Sequence, residues 1–226
     1  MLKIVCVIPA WNEEKSIVYV LRDVLRYVDT VVVVDDASID NTLIALKLAK
    51  FSDNVKVLKH VVNRGQGASL QTGNEYALEI GADIIIHFDA DNQFLASEIT
   101  DVVKPLIDNE ADVVFGSRFL SKKSNIPFFK EKVILPIGRI VNRIVMGENN
   151  LTDPQSGFRA MNANVARGIT IEQDRMAHCS EIISKVIRSK YRLKEVPITV
   201  FYNEFGQKFS GGVNIIKELI FNKIIS

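Results

Sequence analysis

Only two cysteines occur among the 226 residues, Cys6 and Cys179. They lie far apart and match no metal-ligand or redox spacing, so they read as buried free thiols in a reducing compartment. An excess of one charge is also missing: 28 Lys and Arg against 27 Asp and Glu leave a formal net charge of +1. Nucleic acid is therefore not the obvious partner. No apolar run approaches the ~20 residues of a membrane-spanning helix. No signal peptide is evident either, because Lys3 is followed by a short strand and then by Asn12-Glu13-Glu14. The functional face is accordingly expected in the cytoplasm. The chain has no P-loop spacing and no Gly-x-Gly-x-x-Gly fingerprint. No Ser-His-Asp or Cys-His grouping is readable around His60, His87 and His178, and the first two read as structural. No internal repeat or low-complexity tract is present.

What remains is ordinary globular composition, 47% hydrophobic and 24% charged. Strand and helix patterns alternate. Lys3 to Ile8 reads as a strand stopped by Pro9. Glu13 to Tyr27 carries helical apolar spacing, with Asn12 available as its cap. Strands follow at Thr30 to Val34, Val55 to His60, Asp83 to Phe88 and Asp112 to Gly116. Helices are expected over Asn41 to Phe51, Ala68 to Ile80 and Ser97 to Asn109, the last bent near Pro105. This alternation predicts an α/β fold, a mostly parallel, Rossmann-like sheet with helices on both faces. After Arg118 the pattern changes. Lys122 to Arg143 mixes basic and apolar residues, with a helix expected over 137–145. A further helix is expected within Thr170 to Lys190, then a strand near Leu193 to Phe201. The chain closes with an amphipathic helix over Val213 to Ile225.

Two of the strands end in acid. Ile84-Ile85-Ile86-His87-Phe88 leads into Asp89-Ala90-Asp91, and Val31 to Val34 leads into Asp35-Asp36. In open α/β sheets, ligands sit outside the carboxyl ends of the strands. Asp89 and Asp91 are two positions apart on an extended segment and so point the same way. Ala90 is small enough to let the backbone approach a bound group. A hard divalent cation, completed by phosphate oxygens, would offset the cost of burying the two carboxylates. A solvated strand end that caps the next helix is the alternative. Asp35, and less directly Asp36, can accept hydrogen bonds from a base or ribose, or form a polar turn with Ser38 and Asp40.

Other loops add candidates. Pro9 stiffens the exit of the first strand, and Glu13 can accept from a nucleotide. Arg64, Gly65 and Gly67 form a basic turn before a helix, suited to a pyrophosphate. Arg118, after Gly116-Ser117, and Arg159, in Asp153-Pro154-Gln155-Ser156-Gly157-Phe158-Arg159, are of the type that clamps phosphate oxygens. Asp153 can hold a ligand hydroxyl or orient an arginine. Glu181 is expected to turn into the crevice.

In order along the chain, Val7-Ile8-Pro9-Ala10-Trp11-Asn12-Glu13-Glu14, Val34-Asp35-Asp36-Ala37-Ser38-Ile39-Asp40, Asn63-Arg64-Gly65-Gln66-Gly67, Asp89-Ala90-Asp91-Asn92-Gln93, Gly116-Ser117-Arg118 and the Asp153–Arg159 segment resemble family-2 glycosyltransferases of the GT-A fold. They are most similar to the group that uses polyprenyl phosphate, such as dolichyl-phosphate mannose synthases. The resemblance implies inverting transfer of a hexose from a nucleotide sugar, GDP-mannose or a UDP-hexose, to a lipid phosphate. It implies that Asp35 holds the nucleotide and that Asp89, Asp91 and Gln93 hold Mg²⁺ or Mn²⁺ with the diphosphate. Arg118 would then meet the acceptor phosphate. A hydroxyl acceptor would need a base, for which Asp153 or Glu181 is the first candidate.

Relatives often carry an arginine-rich closing segment near the C-terminus. Here the matching region reads Tyr202-Asn203-Glu204-Phe205-Gly206-Gln207-Lys208, where Lys208 is expected to replace part of that charge. The basic-apolar stretch suits peripheral contact with a membrane, or is a packed subdomain with a solvated face. The sequence thus reads as one domain over 1–226, with donor binding in 1–118 and the acceptor side in 119–226. The competing readings are transfer to a saccharide or protein hydroxyl, and a nucleotide-sugar-binding module without catalysis.

Overall fold

The protein is described from a computed structural model covering residues 1–120 and 151–201. The basic-apolar stretch from Lys122 to Arg143, the helices expected over 137–145 and 213–225, and Lys208 lie outside the described residues. The strands are β1 (Ile4–Ala10), β2 (Thr30–Asp35), β3 (Val55–Lys59), β4 (Ile84–His87), β5 (Val113–Ser117), β6 (Arg159–Asn162) and β7 (Leu193–Pro197). The helices are α1 (Ile17–Val24), α2 (Thr42–Leu48), α3 (Gln66–Glu79), α4 (Ile99–Ile107), α5 (Ala163–Gly168) and α6 (His178–Arg188). The strands form one sheet in the order β3-β2-β1-β4-β6-β5-β7. Every pairing is parallel except those of β6, which runs antiparallel to both β4 and β5. This is the mostly parallel sheet expected from the sequence, with one reversed strand inserted from the second half of the chain.

The unbroken Val31-Val32-Val33-Val34 run is explained by burial on both faces. Val31 and Val33 belong to one buried cluster with Leu21 of α1, Leu46 of α2 and Val102 of α4. Val32 and Val34 belong to one buried cluster with Leu70 of α3, Val165 of α5 and Ile182 of α6. Each such side chain contributes about 1.5–3 kcal/mol by leaving water.

Several boundaries differ from the sequence expectation. Pro9 does not stop β1, which continues in register with β2 through Pro9↔Val34 and Ala10↔Asp35. Alternate residues of β1 face alternate neighbours: the Val7 carbonyl accepts from Phe88 N–H, and the Ala10 carbonyl accepts from Asp36 N–H. Pro9 therefore faces the β4 side, past the last β1–β4 pair at Val7↔His87, where its missing N–H is not needed. Asn12 does not cap a helix, because α1 starts only at Ile17. Helix α6 starts at His178 rather than near 170. β7 ends at Pro197, short of Phe201. β6 and α5 were not anticipated.

Candidate active site

The loops at the carboxyl ends of β1, β2 and β4 share one backbone feature. Asn12, Ala37 and Asn92 all have positive φ, at 59°, 57° and 61°. Asparagine tolerates this left-handed region and alanine does so at a cost, and such strain concentrates at functional loops. The first two loops are knitted together. Ser38 Oγ accepts from Asn12 N–H (2.9 Å), and Asn12 Oδ1 accepts from Ile39 N–H (2.9 Å). Asn12 thus shapes the rim beside Asp35.

Asp89 and Asp91 follow β4. Burial, and then the neighbouring Asp91 carboxylate, push Asp89 from 3.8 up to about 7. Burial also raises Asp91. Glu13, from the β1 loop, is raised by burial and by the charges of Asp91 and Asp40, against the Ser16 hydroxyl that donates to it at 2.6 Å. Among the described residues no ion pair neutralises either aspartate. Such crowded acid favours a cation. Among the same residues no group of three or more His, Cys, Asp or Glu side chains can hold a metal ion by itself. Two carboxylates with diphosphate oxygens to complete the shell is the arrangement that suits Mg²⁺, so the donor set fits a substrate-completed site. Gln93 enters through its backbone: its N–H donates to Asp91 Oδ1 (3.1 Å) and its carbonyl accepts from Phe201 N–H (2.9 Å).

Asp89 is gripped from two sides. Gln66, the first residue of α3, donates through Nε2 to Asp89 Oδ1 at 2.9 Å. Gly157 lies against the same carboxylate, so that a Cβ there would meet Oδ1 at 2.8 Å, Cγ at 2.9 Å and Oδ2 closer still. Beneath them, Phe88, Phe94 and Phe158 pack ring to ring with centroids 5.0–5.5 Å apart. Neither Gln66 nor Gly157 was singled out from sequence, although both lie inside motifs that were.

The two aspartates after β2 do different work. Asp36 is spent inside the protein. It accepts from Arg64 N–H (3.0 Å) and Gly65 N–H (2.6 Å) and meets His60 Nδ1 at 2.7 Å, which fixes the β3–α3 turn. Asp35 is fully buried, and among the described residues its Oδ2 receives only Ser38 N–H at 3.4 Å. Its Oδ1 is buried with no partner among the described residues. A buried carboxylate oxygen without a partner is costly, and a ligand donor would satisfy it.

In the basic turn, Gly67 N–H and Ala68 N–H donate to the Asp174 carbonyl (2.7 and 3.3 Å), and Arg64 Nη2 reaches Asp174 Oδ1 at 3.4 Å. Gly65, at φ +107°, sits where a side chain would strike the Asp174 backbone. The first N–H groups of α3 are thus engaged by the loop before α6.

Arg118 follows β5, and Asp153 orients it. Asp153 Oδ2 accepts from Arg118 N–H at 3.1 Å and from Nε at 2.5 Å, with the aspartate almost fully buried. Asp153 is in turn fixed by Glu195 of β7, which accepts from the N–H groups of Thr152 and Asp153. Sequence reasoning missed Glu195, because a charged residue in an edge strand carries no signal of its own. Glu181 does not enter the crevice. Its carboxylate accepts from Glu172 N–H and Gln173 N–H and pairs with Lys185 at 2.8 Å. Arg159 is fully buried and exposes no surface to a ligand. It hydrogen-bonds Cys179 Sγ at 3.2 Å. Burial pushes the Cys179 thiol up, but Arg159 and His178 outweigh this and leave it at about 6. Cys6 is buried too, and burial raises its thiol far above its ordinary range. Burial holds His87 well below its usual range, and its Nε2 meets Asn74 Oδ1 at 2.8 Å.

The sequence profile of "Glycosyl transferase family 2" matches residues 5–170. The chain is 32% identical to the UDP-N-acetylglucosamine–dolichyl-phosphate N-acetylglucosaminyltransferase of Methanococcus voltae, over 93% of this chain and 89% of that one. It is 32% identical to the undecaprenyl-phosphate mannosyltransferase of Micrococcus luteus, over 94% and 89%. Its fold matches the crystal structure of Mycobacterium tuberculosis glucosyl-3-phosphoglycerate synthase in complex with Mg²⁺ and UDP, with a TM-score of 0.74 at 17% identity, over 97% and 77% of the two chains. The chain has the GT-A fold and belongs to glycosyl transferase family 2.

Proposed function

We propose that this enzyme transfers a hexose from a nucleoside-diphosphate sugar to a polyprenyl phosphate, assisted by Mg²⁺ or Mn²⁺. One observation carries the choice of acceptor. Asp153 and Glu181, the two carboxylates that sequence offered as a general base, are both committed: Asp153 to Arg118, Glu181 to the 172–173 backbone and Lys185. A hydroxyl acceptor needs a base within reach of its proton. A phosphate acceptor is already ionised and needs a cation to place it. Arg118, held by Asp153, suits that task. The names of the two full-length relatives point the same way.

Asp35 Oδ1 would take a donor from the nucleotide, with Pro9, Asn12 and Glu13 shaping the same rim. Asp36, Arg64 and Gly67 would support the diphosphate side by holding the β3–α3 turn. Asp89 and Asp91 would hold the cation, with Ala90 letting the backbone close in and Gln93 fixing Asp91. A cation bound there would offset the charge that develops on the leaving diphosphate. In this reading 1–118 binds the donor and 119–226 serves the acceptor, with Lys208 as an added phosphate contact. Contact with the membrane would be peripheral, on its cytoplasmic face. No helix among the described residues is long and apolar enough to cross a membrane.

The test is a panel of radiolabelled nucleotide sugars, each offered with polyprenyl phosphate and, in parallel, with soluble saccharides and 3-phosphoglycerate. Label moving into the chloroform phase from one donor supports the proposal. Label confined to a water-soluble product rejects the lipid acceptor.

A further inference from the structure

Arg159 is an arginine of the type that clamps phosphate, yet no ligand in the cleft can reach it. It is the largest fully buried side chain among the described residues. Burying a guanidinium is costly unless it is paired, and an apolar residue would fill the same space more cheaply. Its Nη2 donates to two acceptors on different elements, the Ser156 carbonyl at 2.9 Å and Cys179 Sγ at 3.2 Å. Its plane lies over the Phe115 ring, 5.7 Å from the centroid. Its Nε and Nη1 have no hydrogen-bond partner among the described residues.

The two acceptors lead to the same place. Ser156 precedes Gly157, which faces the Asp89 carboxylate so closely that a Cβ there would collide with it. Cys179 is in the first turn of α6, and its sulfur also meets His178 Nε2 at 3.4 Å. His178 Nδ1 meets the Arg175 carbonyl at 2.7 Å. The adjoining Asp174 carbonyl accepts from the first turn of α3, which delivers Gln66 to Asp89. Both grips on Asp89 therefore trace back to the segment from Asp174 to Cys179, and Arg159 closes the loop between them.

We propose that Arg159 and Cys179 are positioning residues, a buried strut that fixes the Gly157 backbone and so holds the Asp89 carboxylate in place for the cation and diphosphate. The planar Nη2 amino group suits this task, because its two hydrogens lie at fixed angles and reach both acceptors. The proposal rests on the metal role given to Asp89 above. It concerns geometry and requires no exposed surface on either residue.

The test is Mn²⁺ binding, followed by electron paramagnetic resonance with UDP or GDP present, whichever the protein binds. Cys179→Ala removes the acceptor, Cys179→Ser keeps one, and Arg159→Lys keeps the charge without the planar Nη2 donor. Loss of such a supporting contact typically weakens a metal site by about 10–100-fold. Cys179→Ala and Arg159→Lys should bind Mn²⁺ roughly tenfold or more weakly, and Cys179→Ser should stay near wild type. Nucleotide affinity without metal, and the melting temperature of Cys179→Ala, should barely move. If Arg159→Lys does not fold, the Ala and Ser variants of Cys179 decide the matter. Wild-type Mn²⁺ affinity in Cys179→Ala overturns the strut. So does an equal fall in metal-free nucleotide binding and melting temperature, which marks a merely structural role. Failure of the wild-type protein to bind Mn²⁺ with nucleotide present overturns the metal reading and the strut with it.

Discussion

Replacing Gly157 with alanine adds one methyl group where the chain faces the Asp89 carboxylate. The new Cβ would lie 2.8 Å from Asp89 Oδ1 and 2.9 Å from its Cγ, where ordinary contact begins near 3.4 Å. The carboxylate must withdraw by more than half an ångström, or the 153–159 loop must lift. Withdrawal is opposed by the Gln66 hydrogen bond to Oδ1. Lifting is opposed by Phe158, wedged between Phe88 and Phe94. Overpacking of this kind costs about 1–3 kcal/mol of stability. A reacting group displaced by about 1 Å can lose on the order of a hundredfold in rate. Gly157→Ala should therefore fold, melt a few degrees lower and lose roughly ten- to a hundredfold in transfer rate, with a raised half-saturating Mn²⁺ concentration. Initial rates across a Mn²⁺ series, with thermal melting in parallel, check this. A rate within twofold of wild type at unchanged metal demand would refute both the close packing at Asp89 and the importance of its placement.

Asp35→Ala should weaken nucleoside diphosphate binding about tenfold or more, the value of a charged hydrogen bond at roughly 1.5–3 kcal/mol, without lowering the melting temperature, because an unpaired buried oxygen is removed with it. Calorimetric titration settles this, and unchanged affinity for both UDP and GDP places the nucleotide elsewhere. Asp89 titrates at about 7 against 3.8 ordinarily, so between those values the native state keeps a proton that the unfolded chain has released. Metal-free protein should accordingly lose stability as pH rises from about 4 to about 7. Asp91 and Glu13, raised as well, act in the same direction. Asp89→Asn or added Mn²⁺ should flatten the slope of melting temperature against pH, and an undiminished slope in Asp89→Asn counts against the assignment. Arg118→Ala and Asp153→Asn should both raise the acceptor KM and spare nucleotide binding, since Asp153 holds Arg118 through two donors. Equal loss of donor binding in either variant would refute the acceptor role.

The parts of the fold legible in sequence were those written in apolar runs. Val31 to Val34 and Ile84 to Ile86 are buried on both faces, and a run of that kind has few other uses. β6 was illegible for the opposite reason. Arg159-Ala160-Met161-Asn162 has no strand pattern and opens with an arginine, yet it is the strand that joins β4 to β5. The acid pair could be read because strand-end carboxylates stand out against their surroundings. The division of labour between Asp35 and Asp36 could not, because it depends on which of them the 60–65 turn folds back upon. Glu181 misled for a similar reason: a helix N-terminal carboxylate can address the cleft or its own preceding loop, and only the path of 171–177 decides between them.

The central claim is that Asp89 and Asp91 hold a divalent cation together with the donor diphosphate. Crystals grown with Mn²⁺ and nucleoside diphosphate, measured at a wavelength where manganese scatters anomalously, test it most directly. The account predicts one strong peak about 2.1 Å from oxygens of both aspartates and of the diphosphate. An anomalous peak bound elsewhere, or nucleotide bound with no metal between it and these two carboxylates, would contradict it.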